Sequence, residues 1–203
     1  MNTPIRERIK RARGIEPDCP WHHRGYLPHF DSANSVQFIT LRLAGSIPRN
    51  SLRKLKHQHL QKQITEIEYH RAVERILDAG YGPTFLGRSE IAALVSENLL
   101  HFDGSKYQLL RWVIMPTHVH ILLEQLGQSL ASIIHSLKSY TANRANKLLD
   151  RSGSFWSADY YDRYVRDGKH FLNTVNYIHR NPVKANMCGS SAEWDFGCAK
   201  YHG

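Results

Sequence analysis

Four side chains of this 203-residue sequence have types and spacing that could do chemistry together: His118 and His120, with one residue between them, and Tyr177 and Asn181, four apart. Side chains alternate along a strand, so a strand through His118-Val119-His120 turns both imidazoles to one face. Charged, the two rings repel; neutral, they make a clamp for a metal ion. Val119, Ile121 and Leu123 then face the other way, into a core. Glu124 shares the histidine face but lies too far along to ligate. The triplet alone does not decide the matter, because 13 histidines make a chance His-x-His easy.

The segment GKHFLNTVNYIHRNPVK has helical periodicity. At about 3.6 residues per turn, Phe171, Leu172, Val175 and Ile178 gather as its apolar face. Tyr177 falls away from that face, in a polar stripe with His170, Thr174 and Asn181. A ligand and a nucleophile one turn apart can meet one phosphate. The bland alternative is a surface tyrosine without a role. Tyr140, in SLKSYTANRANK, competes for the nucleophile's place, but it falls beside Leu137 and Ile133 and reads as packing.

These residues need elements to hold them. SVQFITLRL, residues 35–43, is rich in β-formers and predicts a first strand. A long polar helix is expected over about 51–79, ended by Gly80, Gly82 and Pro83. A second helix follows over 89–100, with Ser89 as its cap. Strands at 107–115 and 118–124 read as a hairpin linked at Pro116-Thr117. Ser129 caps a helix to about 149, a strand falls within 155–166, and a last helix over about 169–181 is halted by Pro182. This order predicts an α+β fold, an antiparallel sheet with helices packed on it. Residues 1–30 read as an irregular, basic N-terminal arm, and 31–203 as one domain with a helical insertion at about 51–80.

Hydrophobic residues make up 41% and charged residues 22% of the chain, a globular balance. No apolar run approaches the roughly 20 residues that span a bilayer, and the basic N-terminus leads into no apolar segment, so neither a membrane partner nor a secretory signal is expected. A net charge of +9 favours a polyanionic partner, of which nucleic acid is the commonest. Cys19, Cys188 and Cys198 form no disulfide framework. Cys19 with His22 and His23, or Cys188 with Cys198 and His202, sketch a zinc site only at spacings that match no standard ligand pattern. Reduced thiols in a cytoplasm are the better reading.

With these residues in view, the sequence resembles a known family. PTHVHILLE resembles the His-hydrophobic-His (HUH) motif of single-tyrosine transposases, and YIHRNPVKA resembles the tyrosine helix of the REP-associated tyrosine transposases of bacteria. RGYLPHF, FITLRLAGSIP, HFDGSKYQLLRWVIMP, SLKSYTANRANK and FWSADYYDRYVRD follow the same family's blocks in order, from about Arg24 to Met187. The resemblance implies a ferredoxin-like α+β domain with an HUH nuclease core. It carries over His118 and His120 as metal ligands, Tyr177 as nucleophile, and Asn181 as the polar residue that completes the metal site. Two features depart from the pattern. The long helix is an insertion relative to the shortest members, and SANS at 32–35 stands where some members carry a Gly-Thr motif that reads a guide sequence.

The chemistry implied is cleavage and rejoining of single-stranded or hairpin, REP-like DNA through a 5′-phosphotyrosine, assisted by Mg2+ or Mn2+. The expected setting is a bacterial cytoplasm, associated with the nucleoid, and the protein a monomer or homodimer. Candidate DNA-backbone contacts are Arg24, Arg42, Lys138, Arg144, Arg163, Arg166, Arg180 and Lys184. Trp156, Tyr160 and Tyr161 suit base stacking or sheet packing equally. Two rivals stand beside this reading. One is a domesticated protein that binds DNA hairpins without cutting them. The other is a metal-dependent hydrolase with a water nucleophile.

Overall fold

The computed structural model describes residues 34–198, together with the backbone of two short strands, β1 (Trp21–Arg24) and β2 (Leu27–Phe30). These two pair antiparallel, so part of the stretch expected to be irregular is a hairpin. The rest of the expected basic arm lies outside the described residues, as do Cys19 and His202.

The centre of the fold is a four-stranded antiparallel sheet. Its strands are β3 (Val36–Arg42), β4 (Tyr107–Ile114), β5 (His118–Gln125) and β6 (Tyr161–Tyr164), in the order β4-β5-β3-β6. The chain runs strand, helices, strand, strand, helix, strand, which is the split βαβ arrangement of a ferredoxin-like α+β fold. β5 is buried along its whole length. Alternation divides its side chains cleanly. Val119, Ile121 and Leu123 enter the larger core with Ile39 and Leu41 of β3. Leu122 enters a smaller core on the opposite face. His118 and His120 share that second face, as the strand period requires.

Helices α3 (Ser89–His101) and α4 (Leu130–Leu148) cover the larger core, contributing Ile91, Val95, Leu99, Ile133, Ile134 and Leu137. Ser129 caps α4 by accepting the Ser132 N–H. Ser89, expected as the cap of α3, is instead its first helical residue; Arg88 holds the cap position without a side-chain bond. Helix α5 (Gly168–Lys184) lies on the other face, across β4 and β5, and is capped by Asp167.

The stretch expected as one helix over 51–79 is two, α1 (Arg49–Leu60) and α2 (Glu66–Asp78). Lys62 adopts φ +55° between them. Thr65 then starts α2 with a capping box: its hydroxyl accepts the Glu68 N–H, and the Glu68 carboxylate accepts the Thr65 N–H. The periodicity ran through this break because both helices feed one apolar cluster, with Leu52 and Leu55 of α1 against Tyr69, Val73 and Leu77 of α2. Gly82, at φ +82°, lies so close to the Gly45 carbonyl that a Cβ there would collide with it.

Two further expectations change. Pro182 sits inside α5 rather than ending it, because its missing N–H removes one bond near the end of the helix and the last turn still closes through Ala185 N–H to Asn181 O. Leu172, expected in the apolar face of α5, is 56% exposed, whereas Thr174 and Asn181 are buried. The polar stripe of α5 is therefore turned toward the sheet. Tyr140, read as packing, is 47% exposed on α4, with the Arg144 guanidinium 5.8 Å from its ring centre.

Candidate active site

His118 and His120 are both buried, and each ring is fixed by a threonine. Thr40 of β3 pairs directly with His120, and its hydroxyl lies 2.9 Å from the His120 Nδ1. That hydroxyl donates onward to Glu74 Oε1 at 3.4 Å, so it accepts from an Nδ1–H. Thr117 does the same for His118: its hydroxyl is 2.8 Å from Nδ1 and donates to the Leu77 carbonyl at 3.2 Å. With each Nδ1 engaged by a hydroxyl, the two Nε2 atoms are left to face each other at 3.0 Å. Two imidazole nitrogens that close need a proton or a metal ion between or beside them. Burial, then His120, lowers the His118 pKa to about 3 against the pull of Glu74, so that ring is neutral.

The third member of the cluster comes from α2. Glu74 Oε2 lies 3.3 Å from His120 Nε2, and the possible ligand atoms of Glu74, His118 and His120 all fall within 4.8 Å of one another. Burial alone would raise the Glu74 pKa. His120, His118 and the Tyr177 hydroxyl outweigh it and hold the carboxyl well below the usual carboxylate range. Glu74 is thus ionised, an anion beside the two facing imidazole nitrogens. This donor set fits a divalent cation: an octahedral ion with bonds of about 2.1 Å sets adjacent ligands about 3 Å apart, which matches the 3.0 Å between the histidine nitrogens.

Tyr177 meets this cluster from α5. Its hydroxyl donates to Glu74 Oε2 at 2.5 Å and lies 3.4 Å from His120 Nε2. Its ring stands edge-on to Phe38, which stacks on His120 with ring centres 5.4 Å apart. Burial, and then the neighbouring Glu74 charge, push the phenol far above its ordinary pKa, so the oxygen keeps its proton. Asn181, one turn on, is 1% exposed. Its amide is near enough to favour the ionised phenol, yet neither amide atom makes an aligned hydrogen bond with a described group. A buried, unbonded amide is costly unless something else engages it.

The structure therefore brings His118, His120, Tyr177 and Asn181 to one place and adds Glu74. The expectation passed over Glu74, which fell within the long polar helix expected over about 51–79. A signal was present: Glu74 falls between His70 and Leu77, spaced i, i+4 and i+7, on the stripe that α2 buries. A carboxylate in a buried stripe needs a partner.

The cations expected to touch DNA are more scattered. Arg163 and Arg166 line a groove in front of Tyr177, and Lys184 lines its edge while pairing with Asp78 at 2.7 Å. Arg180 is exposed on the same helix. Lys138 donates to the carbonyls of Ser157 and Ala158, at 2.6 and 2.8 Å, and so clamps that loop. Arg42 is half-buried and lines a narrow pocket with Lys56 and Asp159. Arg144 sits with Tyr140 on α4; the side chain of Arg24 lies outside the described residues. Of the stacking candidates, Trp156 is a core residue, bonded through Nε1 to Thr141, and Tyr160 packs at the edge of that core. Tyr161 lies against His70 in the groove. Cys188 and Cys198 are free thiols, and Cys198 is buried, accepting the Trp112 N–H. No described helix is long and apolar enough to cross a membrane.

With this geometry in hand, the chain can be compared with known proteins. A comparison with curated protein sequences finds no match. Among solved structures, a REP-associated tyrosine transposase bound to a REP hairpin is similar over 89% of this chain and 82% of its own, at 16% identity and a TM-score of 0.51. A structure from Deinococcus radiodurans R1, described as a candidate transposase, aligns over 79% of this chain and 96% of its own, at 17% identity and a TM-score of 0.32. The first likeness supports the fold. A family model described as "Transposase IS200 like" matches residues 90–181, which span α3, both hairpin strands, α4, β6 and α5 through Asn181. The similarity to the IS200-like transposase family thus rests on residues 90–181, which include His118, His120, Tyr177 and Asn181.

Proposed function

We propose that the chain is a DNA strand transferase that cuts single-stranded or hairpin DNA by attack of the Tyr177 hydroxyl on a backbone phosphate. The observation that carries this reading is the placing of one phenol oxygen within 3.4 Å of His120 Nε2 and 2.5 Å of Glu74 Oε2, beside the two facing histidine nitrogens. His118, His120 and Glu74 would hold a divalent ion, Mg2+ or Mn2+, and Asn181 offers a further ligand from the tyrosine helix. A cation held there would polarise a phosphate oxygen and offset the Glu74 charge. The remaining work falls to the chain. Phe38 and Glu74 fix the Tyr177 ring and hydroxyl in line with the site. Glu74 Oε2, which accepts the hydrogen bond of that hydroxyl, takes its proton as the oxygen attacks. The new bond joins the Tyr177 oxygen to phosphorus; the bond that breaks leads to the 3′ oxygen, which takes up the proton passed to Glu74 and leaves as a hydroxyl. The product, a 5′-phosphotyrosine, keeps the energy of the phosphodiester, so a second 3′-hydroxyl can reverse the step.

The test is a labelled hairpin oligonucleotide with a single-stranded extension, incubated with Mn2+. Wild type is expected to form a covalent adduct that survives denaturing electrophoresis, and Tyr177→Phe to bind without forming one. Equal adducts from both remove Tyr177 as the nucleophile. Cut product without any adduct points to a water nucleophile, and binding without cutting points to the hairpin-binding protein.

A further inference from the structure

The groove in front of Tyr177 has a volume of about 1010 Å³. That is at or above the roughly 300–1,000 Å³ of small-molecule pockets, far more than one phosphate needs. One bank is α2, where Arg71 and Arg75 stand one turn apart and exposed. The other is β6 and the start of α5, with Arg163, Arg166 and Lys169. Three acids also line it, but each is engaged: Glu68 in the capping box of α2, Asp167 in the cap of α5, and Glu74 at the histidines. Among the described residues neither Arg71 nor Arg75 forms a salt bridge; Arg75 Nε only donates to the Arg71 carbonyl at 3.3 Å.

The floor between the banks is aromatic. Phe38, Tyr161 and His70 lie side by side, with Tyr161 edge-on to Phe38 and tilted against His70. Burial lowers the His70 pKa to about 3, so the floor is uncharged. Cationic banks over a neutral aromatic floor suit a chain whose charges run along its edges and whose bases are free to stack. A duplex offers no such bases, and its width keeps it from the half-buried Tyr177.

We propose that α2 and α5 are the two banks of a channel for the unpaired DNA beside the cut, with Arg71 and Arg75 gripping its phosphates and the floor of Phe38 and Tyr161, backed by the buried His70, receiving its bases. This rests on the reading that Tyr177 acts on DNA. It gives α2 a second task beyond supplying Glu74, through residues outside the family match.

The test uses full-length Tyr177→Phe protein, so that binding is read without cutting. Fluorescence anisotropy compares a hairpin with and without a single-stranded tail, across a salt series. The tail is expected to tighten binding at least tenfold. Adding Arg71→Ala and Arg75→Ala should erase most of that gain, leave the tailless hairpin bound as before, and lower the salt slope for the tailed DNA by about 1.4, at about 0.7 per single-strand phosphate contact. Arg71→Lys with Arg75→Lys, which keeps the charges, should retain most of the slope. A tail gain that survives both alanines overturns the channel, and so does an equal loss with and without the tail. The wild-type adduct is scored separately. Its absence would sink the tyrosine mechanism while the tail gain still reported on the channel, and an adduct without a tail gain would do the reverse.

Discussion

Thr40 faces His120 across the β3–β5 pairing, and its hydroxyl touches both the imidazole Nδ1, at 2.9 Å, and Glu74 Oε1, at 3.4 Å. One side chain from a third element thus orients two of the three candidate ligands. Thr40→Val keeps the shape and the strand preference and removes the relay. Metal affinity should fall about 10–100-fold, as for other outer partners of ligating histidines. Calorimetric titration with Mn2+ measures it; an unchanged affinity would mean that the hydroxyl orients nothing.

Glu74 makes two separable contributions. As a ligand, its replacement by Ala should weaken Mn2+ binding. As a neighbouring charge, it is the second cause, after burial, of the raised Tyr177 pKa. Glu74→Gln should therefore bring the metal-free phenol down toward its ordinary value without reaching it, since burial remains. NMR titration of ring-labelled tyrosine reads the shift, with Tyr177→Phe identifying the signal. A phenol that titrates as in wild type would contradict the contact.

His70 predicts a pH dependence of stability. Its pKa is about 3 in the fold, lowered by burial, against about 6.5 in the unfolded chain. Between those values the unfolded chain binds a proton that the fold refuses. Stability is thus fully present above about pH 6.5 and is lost as pH falls toward 3, by up to about 1.4 kcal/mol per pH unit for this group. Urea unfolding of His70→Phe across that range should show a shallower fall than wild type. Parallel curves would refute the assignment.

Much of this was legible in the sequence. The β5 alternation put His118 and His120 on one face, and the run of helices and strands set the sheet and its class. What failed to show were places where one pattern hid another. The apolar stripe of α1 and α2 is continuous in sequence, so the break at Lys62 was marked only by Thr65 and Glu68. Glu74 was passed over as one more polar residue of the single long helix expected there. Tyr177 was placed on the right stripe of α5, but periodicity could not tell that this stripe faces the sheet. The leucine at 172, apolar by type, was left outside because burying Thr174 and Asn181 serves the site rather than the core. That choice depends on what lies opposite, which no local spacing records.

The separate apolar cluster beneath α1 and α2 has a kinetic consequence. Tyr69, Val73 and Leu77 pack with Ile47 and with α1 rather than into either main core. Opening of the helix pair as a unit, with the sheet and its histidines still folded, would have to break only a few polar contacts of α2, among them Glu74–His120, Tyr177–Glu74, Thr117–Leu77 and Lys184–Asp78. Such an opening withdraws the only carboxylate of the cluster and leaves two imidazoles, a weaker holder of a hard ion. The residence time of a bound ion would follow the opening rate of this pair, not the lifetime of the fold, so exchange of metal becomes a local event on an otherwise intact protein.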